Sequence, residues 1–147
     1  MPLNFNKHAA KGNQFLKELA LELGNKADIK RAGRVLRAMC ITLRRHLTQE
    51  ENFQVIAQLP MALKSVYVDG WSPFKKDRFV SRRSDDFILE FVRNEGTNKW
   101  QKFSECEEGA KVLKIALNVL KKHISSGEFR DMEAVLPKAL KKLIHDS

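Results

Sequence analysis

One stretch of the sequence occurs twice, and this repeat constrains the fold more than any other feature. Residues 32–67 align with residues 109–144 at a constant offset of 77 without a gap, and 11 of the 36 aligned pairs are identical. Two unrelated stretches of ordinary composition would share on the order of two or three identities. Most of the other pairs keep their physical type, such as arginine against lysine. The repeat predicts that one structural unit is used twice within the chain.

The repeat extends upstream after a shift in register. Residues 15–24 align with residues 87–96 at an offset of 72, so the second unit carries five extra residues in the polar stretch that follows. Surface loops tolerate such insertions. Because neither unit is long enough to bury a sufficient core alone, we expect a shared core with pseudo-twofold or tandem symmetry. The predicted organisation is a single domain of residues 1–147, made of unit one at about 5–70, a linker at 71–83 and unit two at about 84–145.

Apolar residues recur every three to four positions in both units, which is the spacing of an amphipathic helix. This pattern predicts about three helices in each unit. The third helix is expected to break at a Leu-Pro pair, Leu59-Pro60 or Leu136-Pro137, because proline cannot continue a helix. No stretch of the sequence alternates apolar and polar residues as a half-buried strand does. The predicted fold class is therefore all-α, with two duplicated helical units packed as one pseudo-symmetric domain.

Capping residues mark the helix ends at equivalent positions. Thr48 and Ser125 each have a glutamate three residues later, which is the pattern of a capping box at the start of a helix. Asp28 is the expected N-cap of the second helix of unit one. Gly24 and Gly96 stand where a left-handed residue would end the first helix of each unit. These residues predict the turns between the helices.

The composition is that of a globular helical protein with a surplus of basic residues. Hydrophobic residues make up 43% and charged residues 31%, and 27 lysines and arginines against 18 acidic residues give a net charge of +9. No run reaches the roughly 18 apolar residues that a membrane span needs, and the first residues do not resemble a secretory signal. Cys40 and Cys106 lack the spacing of a metal site and fit free thiols in a reducing compartment. We therefore expect a cytoplasmic protein.

A positive charge of this size favours an acidic partner, which could be a nucleic acid, an anionic membrane surface or an acidic protein. Basic residues repeat along the second helix of both units and continue in the linker. A solvated outer face of two amphipathic helices explains the same pattern. Since acids are prominent at the start of helix three, sequence-specific reading of DNA is not expected. The candidate surface for an anion or partner comprises Arg34, Arg37, Arg44, Arg45, Lys75, Lys76, Arg78, Arg82, Arg83, Lys111, Lys114, Lys121 and Lys122.

Two histidines occupy equivalent positions in the repeat. His46 and His123 are each followed five residues later by a glutamate, Glu51 or Glu128. If the two units face each other, these four side chains could converge as metal ligands. Metal centres of helical bundles normally use Glu-x-x-His on one helix face, whereas here the glutamate follows the histidine across a turn. A catalytic histidine also needs an orienting acid and a nucleophile, and no such constellation is visible.

The residues of unit one carry a resemblance to a known family. The stretch RAGRVLRAMCITLRRHLTQEENFQVIAQLPMALKSVYVDGW is similar to the bacterial domain-of-unknown-function family 2267, and the opening and closing segments of the chain also fit. The resemblance implies a small, all-helical bacterial protein of the cytoplasm. It implies no activity and transfers no site residues.

The sequence thus predicts a non-enzymatic binding or interaction module with a basic surface. We expect no catalytic, cofactor-binding or metal-binding residues, and the expected partner is an unknown acidic molecule or protein. The first alternative is low-specificity nucleic-acid binding through the same surface, which would weaken steeply with salt. The weaker alternative is a metal-binding enzyme that uses the repeated histidine and glutamate pair. A homo-oligomer remains open.

Overall fold

The computed structural model describes residues 3–74, 84–96 and 105–145. Within these ranges the chain forms eight α-helices and no strands, which confirms the predicted all-α fold. No helix in this part of the chain is long and apolar enough to cross a membrane. The helices are α1 (Asn6–Glu22), α2 (Ile29–His46), α3 (Gln49–Gln58), α4 (Met61–Val68), α5 (Ser84–Glu95), α6 (Glu105–His123), α7 (Ser126–Glu133) and α8 (Lys138–His145).

Helices begin at the capping residues that the sequence marks. At the start of α2, the backbone N–H of Arg31 donates to the carboxylate of Asp28 at 3.0 Å. Capping boxes start α3 at Thr48 and α7 at Ser125, and in both the glutamate three residues later completes the box. These side chains satisfy N–H groups that have no acceptor within their own helix. Turn positions are therefore set by local sequence.

Glycines and prolines end helices where the sequence predicts. Gly24, with φ 105°, follows α1, and Gly96, with φ 77°, follows α5. Glycine adopts this left-handed region without the strain that a Cβ would cause. Pro60 lies between α3 and α4, and Pro137 directly precedes α8. The third predicted helix of each unit is therefore two short helices, so each half of the chain carries four.

Helix packing follows the same order in the two halves. Helix α1 packs on α2 and α4, and α5 packs in the same way on α6 and α8. The first helix of each half also packs on the second helix of the other half, α5 against α2 and α1 against α6. Between the halves, α3 contacts α7 and α2 contacts α6. The contacts thus occur in equivalent pairs, while the origin of the halves by duplication stays a prediction.

Buried apolar side chains from all eight helices form one core. Leu19, Val35, Phe91, Leu113 and Leu140 are fully buried within it. Burying one such side chain stabilises a fold by about 1.5–3 kcal/mol relative to leaving it exposed. Since these residues come from both halves, the apolar face of each half is covered by the other.

Two helix pairs approach each other closely at a glycine. A Cβ on Gly12 in α1 would lie 2.7 Å from Cβ of Ala62 in α4. A Cβ on Gly109 in α6 would lie 2.8 Å from Cγ2 of Val92 and 2.9 Å from Cγ2 of Ile88, both in α5. Carbon atoms that are not bonded to each other do not approach to such distances without repulsion. Helices α1 and α4, and α5 and α6, therefore reach this separation because the glycines lack a side chain.

Alanine substitution at Gly33 and at Gly109 is expected to change stability in opposite directions. Gly33 lies within α2, and a Cβ there meets nothing within 4 Å. Alanine favours a helix over glycine by about 1 kcal/mol, so Gly33→Ala should raise the free energy of unfolding by up to that amount. Gly109→Ala gains the same preference but overpacks the contact with α5, which typically costs about 1–3 kcal/mol. Urea denaturation measures both effects, and two equally stabilised variants would contradict the close packing of α5 and α6.

Candidate functional site

The ring of His46 joins the end of α2 to α5. Its Nε2 lies 2.5 Å from Oε2 of Glu90, and the ring meets the edge of Phe87 with centroids 4.9 Å apart. The side chain of His46 is only 6% exposed and that of Glu90 14%. The pair is therefore shielded from most of the solvent and ties the two halves together.

The ring of His123 joins the end of α6 to α1 in the same way. Its Nε2 lies 2.8 Å from Oε2 of Glu18, and its centroid lies 5.3 Å from that of Phe15. Phe15 and Glu18 align with Phe87 and Glu90 at the offset of 72 between the units. Each half thus offers a Phe-x-x-Glu segment of its first helix to the histidine of the other half.

The glutamates that follow the two histidines in the sequence have the capping roles that the sequence predicts. Glu51 and Glu128 complete the capping boxes of α3 and α7, because their carboxylates accept from the backbone N–H of Thr48 and of Ser125. The histidines are held by glutamates of α1 and α5 instead. Among the residues that the structure describes, no group of three or more His, Cys, Asp or Glu side chains could hold a metal ion.

Two of the predicted surface arginines form ion pairs within the fold. Nε of Arg34 donates to Oε1 of Glu95 at 2.9 Å, and the carboxylate of Glu95 is buried. Nε of Arg45 lies 2.7 Å from Oε1 of Glu90. Both carboxylates belong to α5, so these arginines bind α2 to α5 and part of their charge is neutralised there.

Arg44 also has partners within the fold. Its Nη1 donates to the carbonyl oxygen of Tyr67 at 2.8 Å and to that of Asp69 at 2.7 Å. These carbonyls lie at the end of α4, where backbone oxygens lack partners in the helix and attract a cation. Arg44 therefore fastens the end of α4 to α2.

The other candidate cations that the structure describes lie on α2 and α6. Arg37, Lys111, Lys121 and Lys122 are exposed, and Lys114 is half-buried. The ammonium group of Lys121 lies 5.5 Å from the ring centroid of Phe129. A continuous cationic face stays a prediction, since five of its proposed members lie outside the described residues: Lys75, Lys76, Arg78, Arg82 and Arg83.

A groove of about 450 Å³ lies beside His123. Its walls come from α1, the corner between α3 and α4, and the turn between α6 and α7. The volume is within the range of small-ligand sites, roughly 300–1,000 Å³. Apolar side chains, among them Phe15 and Leu63, form part of its lining. The charged and amide lining comprises Lys11, Gln14, Glu18, Gln58, Lys122 and Glu128.

The carboxylates of the groove are held within the fold, whereas its lysines are not. Glu18 contacts His123, and the carboxylate of Glu128 accepts a hydrogen bond from the backbone N–H of Ser125. The pKa of Glu128 is lowered, first by the backbone N–H and then by the hydroxyl of Ser125. Among the described residues, neither Lys11 nor Lys122 has an ion-pair or hydrogen-bond partner. The groove therefore presents available positive charge.

At the end of α2 in the other half lies a smaller pocket of about 220 Å³, lined by Arg45, Asp86, Leu89, Glu90 and Arg93. Arg45 aligns with Lys122, and Glu90 aligns with Glu18. Both carboxylate oxygens of Glu90 are engaged, one by Arg45 and one by His46. Arg45, in the last turn of α2, is thus paired with an acid. Lys122, the aligned residue in the last turn of α6, borders the open groove.

Sequence reasoning missed the part of this site that comes from α1. Lys11, Gln14 and Glu18 show no motif of their own, and Glu18 is separated from His123 by 105 positions. A signal was nevertheless present, because Phe-x-x-Glu recurs at aligned positions, as Phe15 to Glu18 and as residues 87–90. A repeated acid beside a repeated histidine indicates a contact between the units.

A buried thiol, that of Cys40, is expected to make stability depend on alkaline pH. Burial raises its pKa to about 12, an effect that Arg44 partly opposes. The folded protein thus keeps a proton that the unfolded chain loses above about pH 9, and the free energy of unfolding should fall by up to about 1.4 kcal/mol per pH unit. Urea denaturation between pH 7 and about pH 11 measures this slope. Cys40→Val is the control, and a slope equal to that of the wild type would contradict this role of the thiol.

Comparisons with known proteins identify the family of the chain. No curated protein matches the sequence. The profile of a family described as an uncharacterized conserved protein, DUF2267, matches residues 12–143. The match covers most of the chain and includes His46, His123 and most of the residues that line the groove. On this evidence, and as the resemblance of its first unit indicates, the chain belongs to the DUF2267 family.

Proposed function

We propose that the protein is a non-enzymatic binding module that holds an acidic partner at the groove beside His123. The observation that carries the proposal is the difference between two equivalent helix ends. Arg45 is paired with Glu90, whereas Lys122 borders the groove without a partner among the described residues. A cation that the fold does not use is available to an acidic partner, and complementary charge gives binding its specificity.

The charges around the groove favour an acidic partner over a basic one. Glu18 and Glu128 are engaged by His123 and by the start of α7, so a basic partner would have to compete with contacts inside the protein. Lys11 and Lys122 impose no such competition on an acidic partner. The net charge of +9 adds attraction over longer distances.

The engagement of potentially catalytic side chains supports a binding role. His46 and His123 each hold a glutamate of another helix, which fixes their rings between helices. The Cys40 thiol is buried in the core and retains its proton at neutral pH, so it is a poor nucleophile. We place this module in the cytoplasm, where free cysteines such as Cys40 and Cys106 stay reduced.

Fluorescence anisotropy tests the proposal with a labelled peptide rich in aspartate and glutamate, and with labelled DNA and RNA. The protein should bind the acidic peptide, and Lys122→Glu should weaken binding about tenfold or more, equal to about 1.4 kcal/mol. Lys121→Glu changes the same charge one residue away, outside the groove, and should have a smaller effect. Failure to bind the acidic peptide at about 50 mM salt would overturn the proposal.

The same titrations distinguish the proposed function from the alternative, low-specificity binding of nucleic acid. Binding through several phosphates would fall about a thousandfold or more between about 50 and 200 mM salt. If DNA or RNA shows that dependence and the acidic peptide does not bind, the protein is a nucleic-acid-binding protein instead.

A further inference from the structure

We infer that the groove beside His123 is a site for one carboxylate group on a short apolar stem, with Lys11 and Lys122 holding its charge. The inference rests on the proposed function and names the chemistry that the groove recognises. We expect one such site per chain. The apolar lining of the groove, its charges and its difference from the pocket in the other half support this inference.

The lining of the groove suits a ligand with an apolar part. Phe15, Leu59 and Leu63 belong to the buried core, and Pro60 and Ile124 adjoin them at the groove. A densely packed core holds such a wall in place. Phe15, Leu59 and Leu63 expose little surface themselves. However, a fully charged ligand would leave the half-buried Pro60 and Ile124 in contact with water, whereas a stem of a few methylene groups covers them and gains affinity.

The charges of the groove favour a single negative charge on the ligand. Lys11 and Lys122 contribute two positive charges, and Glu18 and Glu128 contribute two negative charges that the fold already engages. A carboxylate near the lysines gains attraction from both. A phosphate dianion would bring a second negative charge towards Glu18 and Glu128 and would be repelled by them. The groove therefore selects a monoanion.

Within the residues that the structure describes, the pocket beside Arg45 in the other half differs from this groove. It has about half the volume, and of its two cations, Arg45 and Arg93, Arg45 is already paired with Glu90. A carboxylate entering there would compete with an ion pair formed within the protein and would meet Asp86 as well. We therefore expect one molecule of ligand per chain.

A carboxylate on a short stem has two sources. It can be a free small carboxylic acid, or it can be the side chain of aspartate or glutamate, or the C-terminus, of a protein partner. Both sources present the same carboxylate and apolar stem to the groove. They are therefore tested as separate arms of one experiment.

Titration by two-dimensional NMR of the ¹⁵N-labelled protein tests the inference at constant ionic strength. One arm uses sodium butyrate and the other a short peptide with a single glutamate and blocked ends. Either ligand should cause saturable shifts, with one molecule bound, that are confined to backbone amides at the groove, such as those of Gln14, Leu63 and Ile124. Propylammonium chloride, which has the same propyl stem and the opposite charge, should cause none of them.

Matched variants show which positive charges of the protein hold the carboxylate. Lys122→Ala and Lys11→Ala should each weaken binding about fivefold or more, whereas Lys122→Arg should retain it because the charge remains. Lys121→Ala, one residue away and outside the groove, should bind as the wild type does. Spectra of the variants that superpose elsewhere show that the fold is kept.

The outcomes separate this inference from the proposed function. Shifts with butyrate would show that a free small acid is enough to occupy the groove. Shifts with the peptide but not with butyrate would show that the ligand is a carboxylate of a protein partner. Both outcomes support the inference. Non-saturating shifts, or binding that Lys122→Ala does not weaken, would overturn it. If the acidic peptide still binds in the anisotropy titrations and Lys122→Glu weakens that binding, the proposed function survives that failure, and the groove then recognises an acidic surface rather than one carboxylate on an apolar stem.

Discussion

Replacing Arg34 with alanine is expected to lower the free energy of unfolding by roughly 2–4 kcal/mol. The side chain of Glu95 is only 2% exposed, and Nε of Arg34 lies 2.9 Å from its Oε1. Removing one partner of a buried ion pair typically costs about 3–5 kcal/mol, because the remaining buried charge loses an interaction that offsets its desolvation. The Arg34 side chain is 37% exposed, so water can enter its place and offset part of the loss. Urea denaturation at neutral pH measures the difference.

A double-mutant cycle shows whether the charge of Glu95 causes this loss. Glu95→Gln keeps the shape of the side chain and removes its charge, so Arg34→Ala should cost less in that background than in the wild type. Lys111→Ala is the matched control, since Lys111 aligns with Arg34 and is exposed, and it should change stability by at most about 0.5 kcal/mol. Equal costs of Arg34→Ala in both backgrounds would show that the pair does not hold α2 to α5.

The helices could be predicted because their determinants are local. The side chains that start α3 and α7, Thr48 and Ser125, act on backbone groups three residues away. Pro60 and Pro137 interrupt a helix through their own rings, whatever surrounds them. Such signals are complete within a few residues of sequence, so helix starts and the breaks at proline were readable without knowledge of the tertiary structure.

The partners of the basic residues could not be predicted because they are distant in sequence. Arg34 and Glu95 are 61 positions apart, and His46 and Glu90 are 44 apart. Helical periodicity assigns a residue to a face, but it does not say which other helix covers that face. Arg45 therefore belonged to the predicted outer surface, although it lies beside an acid of α5.

The groove was beyond sequence reasoning for a related reason. It forms where three separate segments meet, and each contributes ordinary residues such as Lys11 in α1, Pro60 after α3 and Lys122 at the end of α6. No spacing within one segment distinguishes these residues from others on a solvated helix. Only the packing of α1 against α6 places them around a common space.

The first half contains a buried polar cluster centred on Asn52 in α3. The hydroxyl of Tyr67 in α4 donates to Oδ1 of Asn52 at 2.5 Å. Nδ2 of Asn52 lies 3.2 Å from the carbonyl oxygen of Arg44, 3.3 Å from that of Leu47 and 3.1 Å from that of Thr48. The amide thereby joins the turn after α2 to α4. Two of its acceptors, the carbonyls of Arg44 and Leu47, lie at the end of α2, where carbonyls lack partners within the helix.

The aligned positions of the second half carry apolar residues in place of this cluster. Asn52 aligns with Phe129 and Tyr67 aligns with Ile144, so the second half has two apolar side chains at the equivalent positions. Phe129 is buried there. Because both members of the polar pair are absent together, no polar group is left without a partner by their loss.

Asn52→Leu is therefore expected to lower the free energy of unfolding by roughly 2–4 kcal/mol. Leucine has nearly the same volume and shape, but it leaves the buried Tyr67 hydroxyl without its acceptor, and one unsatisfied buried polar group costs about 1–3 kcal/mol. The carbonyls that the amide contacts lose a donor as well. Urea denaturation gives the loss, with unchanged helix content by circular dichroism as the check on the fold.

The decisive comparison is Tyr67→Phe in two backgrounds. In the wild type it removes a hydroxyl that Asn52 accepts, and it should cost about 1–2 kcal/mol because Oδ1 is left unpaired. In the Asn52→Leu variant the same change removes a hydroxyl that already lacks its partner, so it should cost nothing or restore stability. That reversal would show that the two halves reach the same packing by different means, one with a satisfied polar pair and the other with apolar contact. Equal costs in both backgrounds would show that Asn52 and Tyr67 act independently.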